Sequence, residues 1–200
     1  MPIMHQFEYY MQEEGMPANL RARDGQPRVM AMRAEVLQAL RAALVPSAIW
    51  ETFSVAKLEP GRFQIAGKWE LSCDASITTL DGCDEIIAGI CTAGAGIDVL
   101  VDEYQKSSMS KAVMLDQIST WAIQQVLIHV LELIKQSISN RTPRLTPVVR
   151  PGFEKWPITN QTAIFSMLDA SKIGVRLTDS LLMVPSKSVS FIIGIFVCAL

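Results

Sequence analysis

The longest regular pattern of apolar positions runs from Ser110 to about Ser139 and predicts a long helix. Leu115, Ile118 and Val126 recur at helical spacing, and other apolar side chains spread around the rest of the axis. A helix that is apolar on most sides is usually buried among other elements. We therefore expect this helix to lie near the centre of the fold.

Three further helices are predicted on the same grounds. Apolar spacing supports them, and Pro46 ends the first. They run from Val29 to Leu44, from the Thr92–Gly96 turn to about Lys106, and from about Ile158 to Leu168.

Alternating or short continuous apolar runs predict the strands. These runs lie at Thr52–Leu58, Phe63–Ile65, Trp69–Leu71, Glu85–Cys91, Ile173–Leu177, Leu181–Val184 and Ser188–Phe196. Helices and strands come in mixed order, and most strands read as hairpin or meander partners. The chain is therefore expected to be α+β with an antiparallel sheet.

Residues 1–28 differ from the rest of the chain. Gly15, Pro17, Gly25 and Pro27 interrupt any regular apolar period there. We expect an N-terminal arm that packs on the body or pairs with another copy of the chain, which would make a homo-oligomer. Residues 29–200 are expected to form a single α+β domain.

Composition narrows the classes of partner. Half of the 200 residues are hydrophobic, and the net charge is -2 with scattered basic residues, which disfavours nucleic acid. The four cysteines form no C-x-x-C pair, so no metal site is expected. The apolar run Phe191–Leu200 is shorter than the roughly 20 residues of a membrane-spanning helix. With no signal peptide at the start of the sequence, a cytoplasmic protein is expected.

A glycine-containing turn after the Glu85–Cys91 strand is one candidate ligand loop. Gly94 and Gly96 lack the third glycine of the dinucleotide fingerprint, and Asp98 places negative charge where a phosphate would sit. A tight strand-to-helix turn is the favoured interpretation. A nucleotide-binding enzyme that uses these glycines is the weaker alternative.

The Pro147–Pro157 loop is a second candidate. Its prolines and Gly152 predict a rigid backbone, and Arg150, Phe153 and Trp156 offer a cation and aromatic rings. A ligand-binding loop and a crossover loop anchored in the core by Trp156 are equally good interpretations at this stage.

Several ordered motifs then point to a known family. They are Gly82-Cys83-Asp84, Thr92-Ala93-Gly94, Leu115-Asp116, Leu145-Thr146-Pro147, Pro151-Gly152-Phe153 and Thr178-Asp179-Ser180. Over roughly Ile49 to Ile195, the chain resembles the activation domain of vitamin B12-dependent methionine synthase, in particular its small stand-alone relatives. The resemblance implies a curved, twisted antiparallel sheet with helices packed around it.

The resemblance also implies a function. The domain would bind S-adenosylmethionine and supply it for reductive methylation of a corrinoid (cobalamin) held by a partner protein or a cobalamin-dependent methyltransferase. The chain would be part of such a system and not a complete enzyme, with no catalytic residue of its own. The implied donor-binding residues are Gln124, Arg150, Pro151, Gly152 and Phe153, with Thr178 and Asp179 nearby.

Three positions depart from the family pattern. Val148 stands at the arginine position of the ligand loop, Arg150 follows two residues later, and Phe153 replaces a tyrosine. Gln124 stands where relatives commonly have a glutamate. The resemblance therefore leaves a second hypothesis, a non-catalytic module that docks on a corrinoid protein or methyltransferase without binding the methyl donor.

Overall fold

A computed structural model describes residues 3–6, 16–17, 26–139 and 143–196. The helices are α1 (Pro27–Ala43), α2 (Gly96–Ser107), α3 (Met109–Ser137) and α4 (Asn160–Met167), and a 3₁₀ helix covers Ala170–Ile173. The strands are β1 (Ile3–Gln6), β2 (Ser47–Glu59), β3 (Arg62–Ile65), β4 (Trp69–Ser72), β5 (Glu85–Thr92), β6 (Arg144–Leu145), β7 (Arg176–Leu177), β8 (Met183–Val184) and β9 (Ser188–Phe196).

A curled antiparallel sheet organises these elements. Its main path is β4-β3-β2-β5-β9-β6, and β1 adds to the first part of β2. The long strand β2 pairs with β5 over Ser47–Ser54 and with β3 from Val55 onward. The hairpin of β7 and β8 forms a separate two-stranded sheet. The predicted α+β class with an antiparallel sheet is confirmed.

Both faces of the sheet are covered. Helices α1, α2 and α3 pack on one face around Trp50, Ile87 and Phe191. Helix α4 and Trp156 pack on the other face around Ile90, together with inward-facing side chains of β3 and β4 from the curled part of the same sheet. A strand buried on both faces has no need of polar alternation, which accounts for the continuous apolar run in β5.

The same reasoning explains an error in the predicted start of β2. The strand begins at Ser47 and not at Thr52, because Ala48, Ile49 and Trp50 are buried against opposite faces of the sheet. These residues show no period-2 alternation, so the sequence pattern did not distinguish them from the preceding loop.

The part of the predicted arm that the structure describes lies on the body of the protein. Strand β1 pairs antiparallel with β2, with Ile3 opposite Trp50, and Met16 is fully buried. Helix α1 begins at Pro27, two residues before the predicted start, with proline in the favoured first turn. The other residues of the predicted arm lie outside the described residues.

The predicted strands after α4 are shorter in the structure. The predicted strand Ile173–Leu177 is reduced to Arg176–Leu177, since a 3₁₀ helix extends to Ile173 and Gly174 ends it with a φ of 69°. The predicted strand Leu181–Val184 starts at Met183, because Leu181 lies in the hairpin turn with a φ of 60°.

The proline-rich segment after α3 also contains strand pairing, for which the sequence showed no apolar pattern. Arg144 and Leu145 form β6 against the end of β9, and Val149 bridges to Ile192. These pairings direct the following residues across the sheet toward α3. Within the described residues, no helix is long and apolar enough to cross a membrane.

Candidate functional site

A cavity of about 330 Å³ lies between α3, the loop before α4, the start of α4 and the start of β9. This volume is at the lower end of the range for small-molecule sites. The lining residues come from four separate segments of the chain. They are Thr120, Ile123, Gln124, Arg150, Pro151, Gly152, Phe153, Ile158, Gln161, Met183, Ser186, Lys187, Ser188, Val189 and Ser190.

The loop that forms one wall is anchored at both ends. Val149 exchanges backbone hydrogen bonds of 2.9 Å with Ile192, and buried Trp156 stacks on Phe63 with ring centres 6.5 Å apart. Between them, the Gly152 N–H donates to the Trp156 carbonyl oxygen at 2.7 Å. Trp156 thus anchors the loop in the core, as the crossover interpretation requires. Arg150–Phe153 line the cavity, and ligand binding by this loop stays a prediction.

The outer side of the loop is tied to the connection between β4 and β5. Glu154 and Lys155 have positive φ values of 47° and 65°, which non-glycine residues rarely adopt. The Lys155 carbonyl accepts the Asp74 N–H at 3.2 Å, and the Lys155 ammonium donates to Ser76 Oγ at 3.1 Å. Hydrogen bonds from Ser76, together with the charge of Lys155, lower the pKa of Asp74.

Arg150 joins the loop to α3. Its Nη1 donates to Gln124 Oε1 at 3.0 Å, and its guanidinium lies 4.5 Å from the centre of the Phe153 ring. The second contact has the geometry of a cation–π interaction. The structure thus brings together three of the predicted donor-binding residues, and Pro151 and Gly152 line the same cavity.

The opposite wall contains residues that the sequence analysis missed. Lys187 is paired with Asp116 Oδ1 at 2.7 Å and donates to Thr120 Oγ1 at 2.8 Å. Ser186 donates its N–H and its hydroxyl to Asp98, at 2.8 and 2.5 Å. The available signal for this wall was the run of polar residues Ser186, Lys187 and Ser188 at the start of a buried strand.

Gln161, at the start of α4, was also missed. The residue is only 5% exposed, and its Oε1 has no hydrogen-bond partner among the described residues. The neighbouring Asn160 is satisfied by the backbone N–H and carbonyl of Ser72. A buried acceptor without a donor destabilises a protein by about 1–3 kcal/mol. Because Gln161 lines the cavity, a ligand with an N–H group is the natural partner for this oxygen.

Thr178 and Asp179 lie in the turn between β7 and β8. Thr178 Oγ1 accepts the Leu182 N–H at 3.0 Å, and Asp179 is exposed. Neither residue lines the cavity, to which the hairpin contributes Met183. A role for these two residues near the donor stays a prediction.

The other candidate loop, at Gly94 and Gly96, packs against the end of α1. Gly94 is buried with a φ of 100°, and a Cβ there would lie 2.9 Å from the Val45 carbonyl oxygen. Its N–H donates to Thr92 Oγ1 at 3.1 Å. A Cβ on Gly96 would lie 2.9 Å from the Ala43 carbonyl oxygen. Close packing accounts for both glycines without a ligand, as the favoured interpretation of this turn requires.

No protein-family model and no curated protein matches the chain. Among solved structures, the MetH reactivation domain bound to AdoHcy matches with a TM-score of 0.65 and 17% sequence identity. The match covers 92% of this chain and 70% of that chain. An identity this low supports fold similarity alone. The chain therefore has the α+β fold of the MetH reactivation domain.

Proposed function

We propose that this protein binds S-adenosylmethionine in the cavity and presents it for reductive methylation of a corrinoid held by a partner protein. A separate reductant protein would deliver the electron, the methyl group would pass to the cobalt, and S-adenosylhomocysteine would leave. One observation carries the proposal. Gln124 on α3 and Arg150–Phe153 in the loop, which the family resemblance implies as one site, line one cavity and touch through the hydrogen bond of Arg150 to Gln124. The fold is that of a domain whose solved structure holds AdoHcy.

The chemistry of the cavity suits the parts of such a ligand. Arg150, held by Gln124 and Phe153, brings one positive charge to the wall beside the ligand. The buried Gln161 Oε1 can accept a hydrogen bond from an amine or ammonium group. Phe153 and Ile158 provide apolar surface for a purine ring.

Presentation to a partner requires an open side to the cavity. Phe153 and Ile158, which line it, are exposed, and so is Leu182, which precedes the lining residue Met183. Exposed apolar side chains around a ligand site favour contact with another macromolecule. The corrinoid would supply the methyl-accepting chemistry, and this chain would hold and orient the donor.

Calorimetric titration with S-adenosylmethionine tests the proposal, with S-adenosylhomocysteine as the comparison ligand. We expect saturable binding at one site per chain, weakened about tenfold or more by Phe153→Ala. Val99→Ala is the matched control, since Val99 on α2 is also 57% exposed but does not line the cavity. Absence of binding of both ligands at millimolar concentration would contradict the proposal.

A docking module that binds no donor is the second candidate. It is favoured by the absence of Asp or Glu among the described residues that line the cavity, since a cationic donor gains from a carboxylate. In that case a corrinoid protein would bind the chain, Leu182→Ser would weaken the complex, and Arg150→Ala would leave its affinity unchanged. Donor titration separates this candidate from the first.

A further inference from the structure

The guanidinium of Arg150 is the one charge in the described cavity wall that no carboxylate neutralises. Among the described residues, its side chain donates a hydrogen bond to the amide oxygen of Gln124 and stacks on the Phe153 ring, and it forms no ion pair. An amide oxygen accepts a hydrogen bond but carries no formal charge. The half-buried positive charge of Arg150 therefore acts on whatever occupies the cavity.

The other charges around the cavity are already balanced or lie outside it. Lys187, whose side chain is 12% exposed, is paired with Asp116. The carboxylate of Asp98 receives both hydrogen bonds from Ser186 and does not line the cavity. Glu154 follows the lining loop but is exposed and also does not line the cavity. The wall as a whole is therefore positive.

The aromatic ring that could stabilise a ligand cation is also occupied. Phe153 already has the Arg150 guanidinium against its ring, at 4.5 Å from the centroid. A second cation on that ring would have to displace Arg150 or share the site with a like charge. The cavity thus gives a sulfonium group little compensation for losing its contact with water.

We propose that the cavity selects its ligand by charge, and that it binds the thioether S-adenosylhomocysteine more tightly than the sulfonium S-adenosylmethionine. The two ligands differ by one methyl group and one positive charge, so Arg150 repels one sulfur centre and not the other. Gln124 is the specificity-determining residue, because its neutral amide leaves the charge of Arg150 uncompensated. This inference rests on the proposed function, of which it specifies the preferred form of the ligand.

Titration of the full chain with both ligands, at low and high salt, tests the selection. We expect wild-type protein to bind S-adenosylhomocysteine about five- to tenfold more tightly than S-adenosylmethionine at low salt. This ratio of the two affinities should fall toward one in roughly 0.5 M salt, because salt screens the charge of Arg150. Gln124→Glu, which has nearly the same shape, places a carboxylate on Arg150 and should bring the ratio to one or below. Arg150→Gln should reduce the preference, and Arg150→Lys should retain part of it.

Gln125→Glu is the matched control, because it adds the same charge to the next position of α3, which does not line the cavity. It should leave the ratio as in the wild type. Equal or tighter binding of S-adenosylmethionine by the wild type would overturn the charge selection but leave the proposed function standing. If neither ligand binds, the proposed function fails and the inference fails with it. A ratio that shifts equally in Gln124→Glu and Gln125→Glu would also overturn the role of Gln124.

Discussion

Two glycine-containing turns looked like candidate ligand loops, and the structure separates them. At Gly94, the backbone lies against the end of α1, so a Cβ would come within 2.9 Å of a main-chain oxygen. At Gly152, the nearest atoms to a Cβ belong to the Ile158 side chain, at 3.8 Å. Both glycines have positive φ, of 100° and 87°. The same backbone conformation thus supports close packing in one turn and an open cavity wall in the other.

This comparison shows that glycine identifies where the backbone is unusual but does not indicate what occupies the space beside it. In the first turn, the Gly94 N–H bonds Thr92 within the protein. In the second, Gly152 is exposed, and its loop carries an arginine and an aromatic ring toward α3. Of the two turns, the second is the one whose surroundings leave room for a ligand.

The largest expected effect comes from Gly94→Ala. Alanine is strained at this left-handed φ, and its methyl group would also overpack against Val45. The free energy of unfolding should therefore fall by about 3 kcal/mol. That loss lowers Tm by about 6–12 °C in a chain of this size, which thermal unfolding measures. Gly67 also has a positive φ, but no atom lies within 4 Å of a Cβ placed there. Gly67→Ala should therefore lower the free energy of unfolding much less. Folded Gly94→Ala protein that had lost ligand binding would instead support a nucleotide site in this turn.

Gly152→Ala should have a small effect on stability and a larger effect on ligand binding, unlike Gly94→Ala. Because alanine is strained at the left-handed φ, the free energy of unfolding should fall by about 1 kcal/mol and Tm by about 2–4 °C. Relaxation of the loop would move Arg150 and Phe153 from the cavity wall, and ligand affinity should fall about tenfold by calorimetry. Gly174→Ala, with a φ of 69° outside the cavity, should show the same stability loss and unchanged binding. Equal binding by Gly152→Ala and wild type would contradict a role for this loop.

Gln161→Met should stabilise the protein while weakening ligand binding. It removes a buried acceptor that has no partner in the part of the chain that the structure describes, for a gain of about 1 kcal/mol and about 2–4 °C in Tm. A ligand N–H would lose its acceptor, so affinity should fall about fivefold. Gln117→Met, at an exposed position of α3, should change neither quantity much. A destabilised Gln161→Met protein would show that this oxygen has a partner within the fold.

The smallest effect concerns Asp74, which holds the outer side of the Phe153–Trp156 loop through Lys155 and Ser76. Its lowered pKa means that the charged form is favoured in the folded protein. The stabilisation is therefore complete above the unfolded-state pKa near 3.9 and is lost as pH falls through the folded pKa. Asp74→Asn should lower Tm by no more than about 1–2 °C at pH 7, and the difference should vanish in stronger acid.

Asp102→Asn on α2 removes the same charge from an exposed position and serves as the control. A Tm difference between Asp74→Asn and wild type that grows as pH falls would contradict the sign assigned to this carboxylate.

Much of the fold could be predicted because a helix or strand that is buried on one face has apolar residues at a regular spacing in the sequence. Helix α3 and strands β3 and β9 were found within a few residues of their observed limits. The first part of β2 was not, because residues buried on both faces show no alternation. The 3₁₀ helix before β7 was missed because such short helices depend on local turns more than on apolar spacing.

The sequence by itself determined the α+β class, the central long helix and the family resemblance that placed Gln124 and Arg150–Phe153 in one hypothesis. Only the tertiary structure decided that Arg150 reaches Gln124, that Gly94 is closed off by α1, and that Gln161 and Lys187 belong to the same cavity. The physical reason is distance along the chain. Periodicity and turn chemistry act between near neighbours, whereas hydrogen bonds and empty space across a cavity depend on segments that only packing brings together.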